Sequence, residues 1–261
     1  EYIEVFTNAT CLGDGLLREW ASLGARAAVS FYSCDPATHD SITRRPGSFE
    51  QTVQGIKALL SRQIPVRIAI VLMRENLSHL RGTVEFLMGL GLRDVDIGHD
   101  FVRPTGRGVA EVALLDRDVA KEVSSIKPRW QSTWAIARPP LPKDEQVVCG
   151  KNFAQGTCWK GAIAISSEGK VYPCIFARQL PVGKLPETGL EEIVKSQNLQ
   201  RLWQITLEEV KTCKDCELRF GCFDCRALAQ TITGDLLSKN PHCRYNPYTG
   251  LIGGNGGRGL K

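Results

Sequence analysis

Ala27-Ala28-Val29-Ser30-Phe31-Tyr32, then Ser48-Phe49-Glu50-Gln51-Thr52-Val53-Gln54-Gly55-Ile56-Lys57-Ala58-Leu59-Leu60, then Val66-Arg67-Ile68-Ala69-Ile70-Val71-Leu72: these three runs decide the fold. The first and third are apolar without polar alternation, as expected of strands covered on both faces. The middle run opens on Ser48 to Gln51, which reads as a capping box, and repeats Phe49, Val53, Ile56 and Leu60 at helical spacing. Strand, helix and strand in that order form a right-handed βαβ unit, and hence a parallel sheet.

The same alternation continues outward. Upstream, Tyr2 to Phe6 is a short β-rich run, and Asp14 is placed to cap a helix through Leu23 that Gly24 stops. Downstream, Asn76 is placed to cap a helix with Leu77, Leu80, Val84, Leu87 and Met88 on one face, closed by Gly91. Val95 to Ile97 is a fourth, shorter strand. Three or four units are too few to close an eight-unit barrel. An open partial barrel or a doubly wound sheet remains.

The chain of 261 residues has room for one large domain and an appendage. Its net charge of +5 is mild and its basic residues are scattered, so no nucleic-acid partner is expected. No run approaches the ~18 apolar residues of a membrane span and no signal-peptide pattern opens the chain. No membrane partner is expected, and a cytoplasmic, reducing setting is the default. The chain opens on Glu1 and reaches an apolar strand by Val5, which reads as a start within a domain.

Eight of the ten cysteines crowd the second half: Cys149, Cys158, Cys174, Cys213, Cys216, Cys222, Cys225 and Cys243. Eight thiolates supply two four-iron clusters with four ligands each. Cys213 to Cys216 and Cys222 to Cys225 are two Cys-x-x-Cys pairs separated by five residues. A zinc ribbon puts about 15–20 residues between its pairs, so the short gap suits ligands shared between neighbouring sites, with zinc as the alternative. Pro128, Pro139, Pro140 and Pro142 mark a linker into this part. Ala162–Ser166 and Lys170–Cys174 then flank a Gly169 hairpin turn, and Leu190 to Leu202 has helical spacing.

Cys158, Gly169 and Cys174, followed by Cys213-x2-Cys216-x5-Cys222-x2-Cys225 and Cys243, resemble the SPASM domain, the auxiliary-cluster domain of radical S-adenosylmethionine (SAM) enzymes. The last pair is spaced by two residues where the family commonly has three. The first half agrees. Val5 to Thr10 resembles the strand-end Thr-Asn-Gly segment of radical SAM barrels. Val29 to Ser33, His39-Asp40 and Pro46 to Phe49 are similar to the next strand, loop and helix of peptide-modifying members, and Arg103 to Gly108 to a later segment.

The resemblance implies an α/β fold: a partial, open, TIM-like radical SAM barrel followed by a small cysteine-rich α+β SPASM domain. It divides the chain into a barrel portion over 1–125, a linker over 126–148, the auxiliary-cluster domain over 149–245 and a Gly-rich tail over 246–261. It implies one auxiliary 4Fe-4S cluster on Cys149, Cys158, Cys174 and Cys225, and another on Cys213, Cys216, Cys222 and Cys243. A third, SAM-binding cluster is implied as well, but its Cys-x3-Cys-x2-Cys motif does not occur here and Cys11 and Cys34 do not form it. That motif is expected ahead of Glu1. Asn8 and Ser30 are the implied SAM contacts.

The implied activity is generation of a 5′-deoxyadenosyl radical from SAM to modify a precursor peptide, with flavodoxin or ferredoxin as electron donor. Sulfatase maturation, redox-cofactor biosynthesis and a non-catalytic iron–sulfur carrier are the alternatives. His39 is weighed as a proton carrier, Asp96 and Asp100 as general bases and Cys34 as a hydrogen-atom donor, each against a structural role. Trp130, Trp134, Trp159 and Trp203 read as packing for a small core.

Overall fold

Four short strands set the first half: β1 (Glu4–Thr7), β2 (Arg26–Phe31), β3 (Val66–Leu72) and β4 (Ile97–Phe101). They pair in sequence order, all parallel, with Val29 beside Ile68 and Ile68 beside Ile97. The computed structural model describes residues 3–102, 159–219, 222, 224–241, 243 and 245–252. The chain divides into two units, Glu1–Gln131 and Ser132–Lys261, each with its own core. The expected linker, the Arg103 to Gly108 segment, Trp130, Trp134, Cys149, Cys158 and most of the tail lie outside the described residues.

In the first unit, α1 (Asp14–Ser22), α3 (Ser48–Ser61) and α4 (Leu80–Gly89) return the chain between strands. Leu17 and Trp20 of α1, Ile56 and Leu59 of α3, and Val84 and Leu87 of α4 share one buried core with Ala27, Val29, Phe31, Ile68, Ile70, Leu72 and Ile97. Strand side chains alternate between faces, so Ser30, Ala69 and Gly98, aligned across three strands, occupy the opposite face. Among the described residues the helices that share the core pack on one side of the sheet, and the four strands follow in sequence order. This arrangement matches a singly wound segment of an open barrel, whereas a doubly wound sheet carries helices on both faces.

Several local expectations are corrected. Asp14 is the first helical residue rather than the cap; Gly13 is the cap, and the Asp14 carboxylate pairs with Arg62. The Ser48 capping box does not form. Gly47, at φ +79°, precedes α3, and Asp40 caps it from outside, accepting from Gly47 N at 2.5 Å and Phe49 N at 2.8 Å. A helix was missed, α2 (Pro36–Thr43), although Asp35 followed by Pro36 is a helix-start signal; Asp35 accepts from Thr38 N at 2.8 Å. The fourth strand runs later than Val95–Ile97, from Ile97 to Phe101. Asn76 stands at the N-cap position of a 3-10 turn, Leu77–His79, that leads into α4, but its side chain makes no cap bond. It is buried and bridges strand ends, donating to Tyr32 O and Val71 O, both at 2.9 Å.

The second unit has little sheet. The expected hairpin forms as β5 (Ala164–Ile165) and β6 (Lys170–Tyr172), turned by Gly169 at φ +79°, with β7 (Gly183–Lys184) added. The helix expected over Leu190–Leu202 is two, α5 (Leu190–Lys195) and α6 (Gln197–Gln204), because Ser196 ends one and caps the other through its side chain. α7 (Arg226–Thr233) follows Cys225, and β8 (Tyr245–Asn246) and β9 (Leu251–Ile252) close the described chain. Trp159, 1% exposed, anchors one apolar cluster, and Trp203 packs on both, as expected of core tryptophans.

Candidate metal centre

Successive tight turns bring three cysteines together. Cys216 N donates to Cys213 O at 3.0 Å, Arg219 N to Cys216 O at 3.2 Å and Cys222 N to Arg219 O at 3.4 Å. Cys243 arrives from a separate segment, its N–H on Asn240 O at 2.9 Å. All four thiols are half-buried. Burial first, then the Asp224 carboxylate and the neighbouring cysteines, push the Cys213 and Cys222 thiols up to about 12. Burial also raises Cys216 and Cys243.

Four neighbouring thiols that resist ionisation as bare groups suit a metal cluster, because ligation supplies the positive charge that their thiolates lack. The donor set therefore fits an iron–sulfur cluster. Leu218 N–H donates to the Cys216 sulfur, the kind of bond that stabilises a ligating thiolate. Among the described residues, no three His, Cys, Asp or Glu side chains close on a point that would seat a single ion. The four sulfurs are neighbours that act on one another electrostatically, and the grouping rests on that.

Cys174 and Cys225 lie elsewhere in the same unit. Cys225, 6% exposed, sits at the start of α7, and Cys174 follows β6; both pack into the apolar cluster of Trp159, Ala177 and Leu228. Phe176 N points at the Cys174 sulfur at 3.5 Å. Cys158 immediately precedes the buried Trp159, but it and Cys149 are outside the described residues. Two of the four cysteines expected in the first cluster are thus in one core.

Sequence reasoning missed a buried ion pair beside these ligands. Arg226 is 1% exposed and Asp224 9%. The signal was available: oppositely charged residues flank Cys225 in a segment otherwise destined for the interior.

In the first unit Ser30 lies half-buried in the row Ser30, Ala69, Gly98 on the face without helices. Asn8 follows β1, exposed; its Oδ1 accepts from Thr10 N and Oγ1, and its carbonyl from Thr52 Oγ1 at 3.0 Å. Among the described residues no hydrogen bond joins the two. Asp100 is half-buried in β4 beside Val71. Asp96 precedes β4 and is held by Arg93 at 2.7 Å, so it lies at the amino end of the strand, away from where barrel sites collect. His39 is buried in α2, its Nδ1 3.3 Å from Ser48 Oγ, among Phe31, Tyr32 and Phe49. Burial holds its pKa below the ordinary histidine value. Cys34 is half-buried, with its N–H on Thr83 Oγ1 at 2.9 Å.

Comparison with known proteins agrees with these two units. Residues 1–87 match the radical SAM superfamily and residues 158–217 match SPASM, an iron–sulfur cluster-binding domain. These domains imply 4Fe-4S clusters and S-adenosylmethionine as cofactors. An AdoMet-dependent heme synthase of Methanosarcina barkeri is 29% identical over 92% of this chain and 74% of its own length. The antilisterial bacteriocin subtilosin biosynthesis protein AlbA of Bacillus subtilis is 27% identical over 77% of this chain, which spans 44% of that protein. The structure of native anSMEcpe with bound AdoMet and Kp18Cys peptide superposes with a TM-score of 0.70 at 14% identity, over 95% of this chain and 72% of that one. That likeness establishes the fold. No helix among the described residues is long and apolar enough to cross a membrane.

Proposed function

Given that this chain combines the radical SAM fold with a SPASM iron–sulfur domain, we propose that it serves an enzyme that modifies an organic substrate by radical chemistry and carries two auxiliary clusters. Cys149, Cys158, Cys174 and Cys225 hold one, and Cys213, Cys216, Cys222 and Cys243 the other. The observation that carries this reading is the mutual grouping of the last four thiols within a chain that matches both domains. When bound, the clusters and SAM supply electrons and a 5′-deoxyadenosyl radical. The protein's own part is to hold the sulfurs, donate N–H bonds to them from Phe176 and Leu218, and keep the Ser30, Ala69, Gly98 row small enough for a cofactor to approach the sheet. Asn8 and Ser30 are the proposed SAM contacts, and a flavodoxin or ferredoxin the proposed electron donor.

For the substrate, a heme precursor is the first reading, because the heme synthase similarity spans 92% of the chain. The peptide reading is second, favoured by the AlbA similarity and by a peptide-bound fold neighbour. The His39 to Phe49 segment on which the peptide expectation leaned does not discriminate: Asp40 binds Gly47, Ser48 and Phe49 to cap α3, a structural duty that any substrate class permits. The test is anaerobic turnover of the full-length gene product with SAM, a low-potential reductant and either a porphyrin precursor of heme or a candidate precursor peptide. Mass spectrometry of the porphyrin should show a change in mass alongside 5′-deoxyadenosine. A mass change in the peptide alone would transfer the assignment to peptide maturation, and 5′-deoxyadenosine formation with neither would remove both substrates.

A further inference from the structure

Among the described residues Arg226 is the only lysine or arginine buried from solvent. Its Nε and Nη2 donate to the two oxygens of Asp224, the latter at 2.7 Å. Its Nη1 donates to the carbonyls of Leu236 and Ser238, both at 2.7 Å. Asn240 Nδ2 reaches the same carboxylate at 3.3 Å. A buried ion pair is seldom more stable than an apolar replacement of similar volume, so stability alone gives little reason for this one.

Its position supplies a reason. Asp224 lies between Cys222 and Cys225, and the 236–240 segment leads to Cys243 through the Asn240 turn. One guanidinium therefore ties the backbone carrying Cys222 to the backbone carrying Cys243. Asp224 stands two residues after Cys222 and directly before Cys225, and Arg226 directly after Cys225, so both charges sit on the ligand-bearing segment. A cluster with four thiolates is negative and becomes more so on accepting an electron; the nearest buried charges bias that step.

We propose that Arg226 is a positioning residue for the cluster site of Cys213, Cys216, Cys222 and Cys243: its guanidinium fixes the Cys222 and Cys243 segments against each other, and its balance with Asp224 sets the reduction potential of the bound cluster. The inference rests on the ligand set proposed above. It is tested on the full-length gene product reconstituted with iron and sulfide, by iron content and an EPR-monitored redox titration. The signal abolished in Cys213→Ser identifies the cluster concerned; native iron content in that variant would refute the ligand set itself, whatever Arg226 does.

Asp224→Asn removes the negative charge and keeps the carbonyl bonds. It should move the one-electron reduction equilibrium of that cluster at least tenfold toward the reduced form, about 59 mV upward. Arg226→Met keeps the apolar stem and should lose about four irons per chain, with Arg226→Lys recovering part of them. Native iron content in Arg226→Met, with an Asp224→Asn midpoint within twofold of the native equilibrium, would overturn the proposal. Should Arg226→Met fail to fold, an unmoved Asp224→Asn midpoint overturns it alone.

Discussion

The two units are stabilised by different means. In the first, a parallel sheet of strands four to seven residues long packs three helices against one continuous apolar core. In the second, strands are two or three residues long and the apolar residues fall into two small clusters. A core of that size gives limited stability by itself, and metal sites or other cross-links commonly supply the remainder in small domains. The lesson is that cysteines dense enough to bind clusters appear where the apolar core is thin.

The largest expected effect breaks this contrast directly. Stripping iron with a chelator under reducing conditions should unfold much of the second unit, since metal-binding free energy there is also folding free energy. The first unit should stay intact. Hydrogen exchange is the measurement: amides of β2 and β3 should remain protected while those near Cys213 to Cys243 exchange freely. Equal protection in both units after iron removal would show that the second folds on its apolar clusters alone. The point variant Cys243→Ser should reproduce part of the effect, with a loss of about four irons per chain.

The next effect tests how rigidly each core is built. A Cβ placed on Gly55 of α3 would stand 2.0 Å from Ala9 O, a backbone atom at the end of β1. One placed on Gly183 would stand 2.6 Å from Ile193 Cγ1, a side-chain atom rather than backbone. Gly55→Ala should therefore cost about 3 kcal/mol, at the upper end for overpacking, and Gly183→Ala about 1 kcal/mol. Chemical denaturation with probes in each unit would report both. Similar costs would mean that the second unit is packed as tightly as the first.

What the sequence disclosed follows the same division. Runs such as Val66 to Leu72 revealed the strands because a buried strand needs many apolar residues in succession, and the helix through Ile56 and Leu59 announced itself by period. The choice between an open barrel segment and a doubly wound sheet was not legible, because it depends on which face the helices cover. Caps were read too locally: Asp40, seven residues before Gly47, caps α3, and no short motif reports that. In the second unit the cysteine spacing carried nearly the whole reading. Arg226 and Asp224 escaped it: the opposite charges flanking Cys225 were visible, but their burial shows only in the structure.

The smallest effect probes the first unit on the acid side. Burial lowers the His39 pKa, outweighing the Asp40 carboxylate 3.8 Å away. The unfolded chain thus takes up a proton near pH ~6.5 where the folded chain does not. The stability this group contributes is full above that pH and falls as the pH drops below it. Denaturation of the first unit between pH 7 and 5 should show the loss, and His39→Phe, which suits a site lined by Phe31 and Phe49, should flatten it. Asp40 must remain in that variant, because its carboxylate caps α3 and would otherwise confound the slope. A profile equally steep in His39→Phe would assign the acid sensitivity to carboxylates such as Asp40 and Asp35, whose pKa values are lowered by the hydrogen bonds they accept.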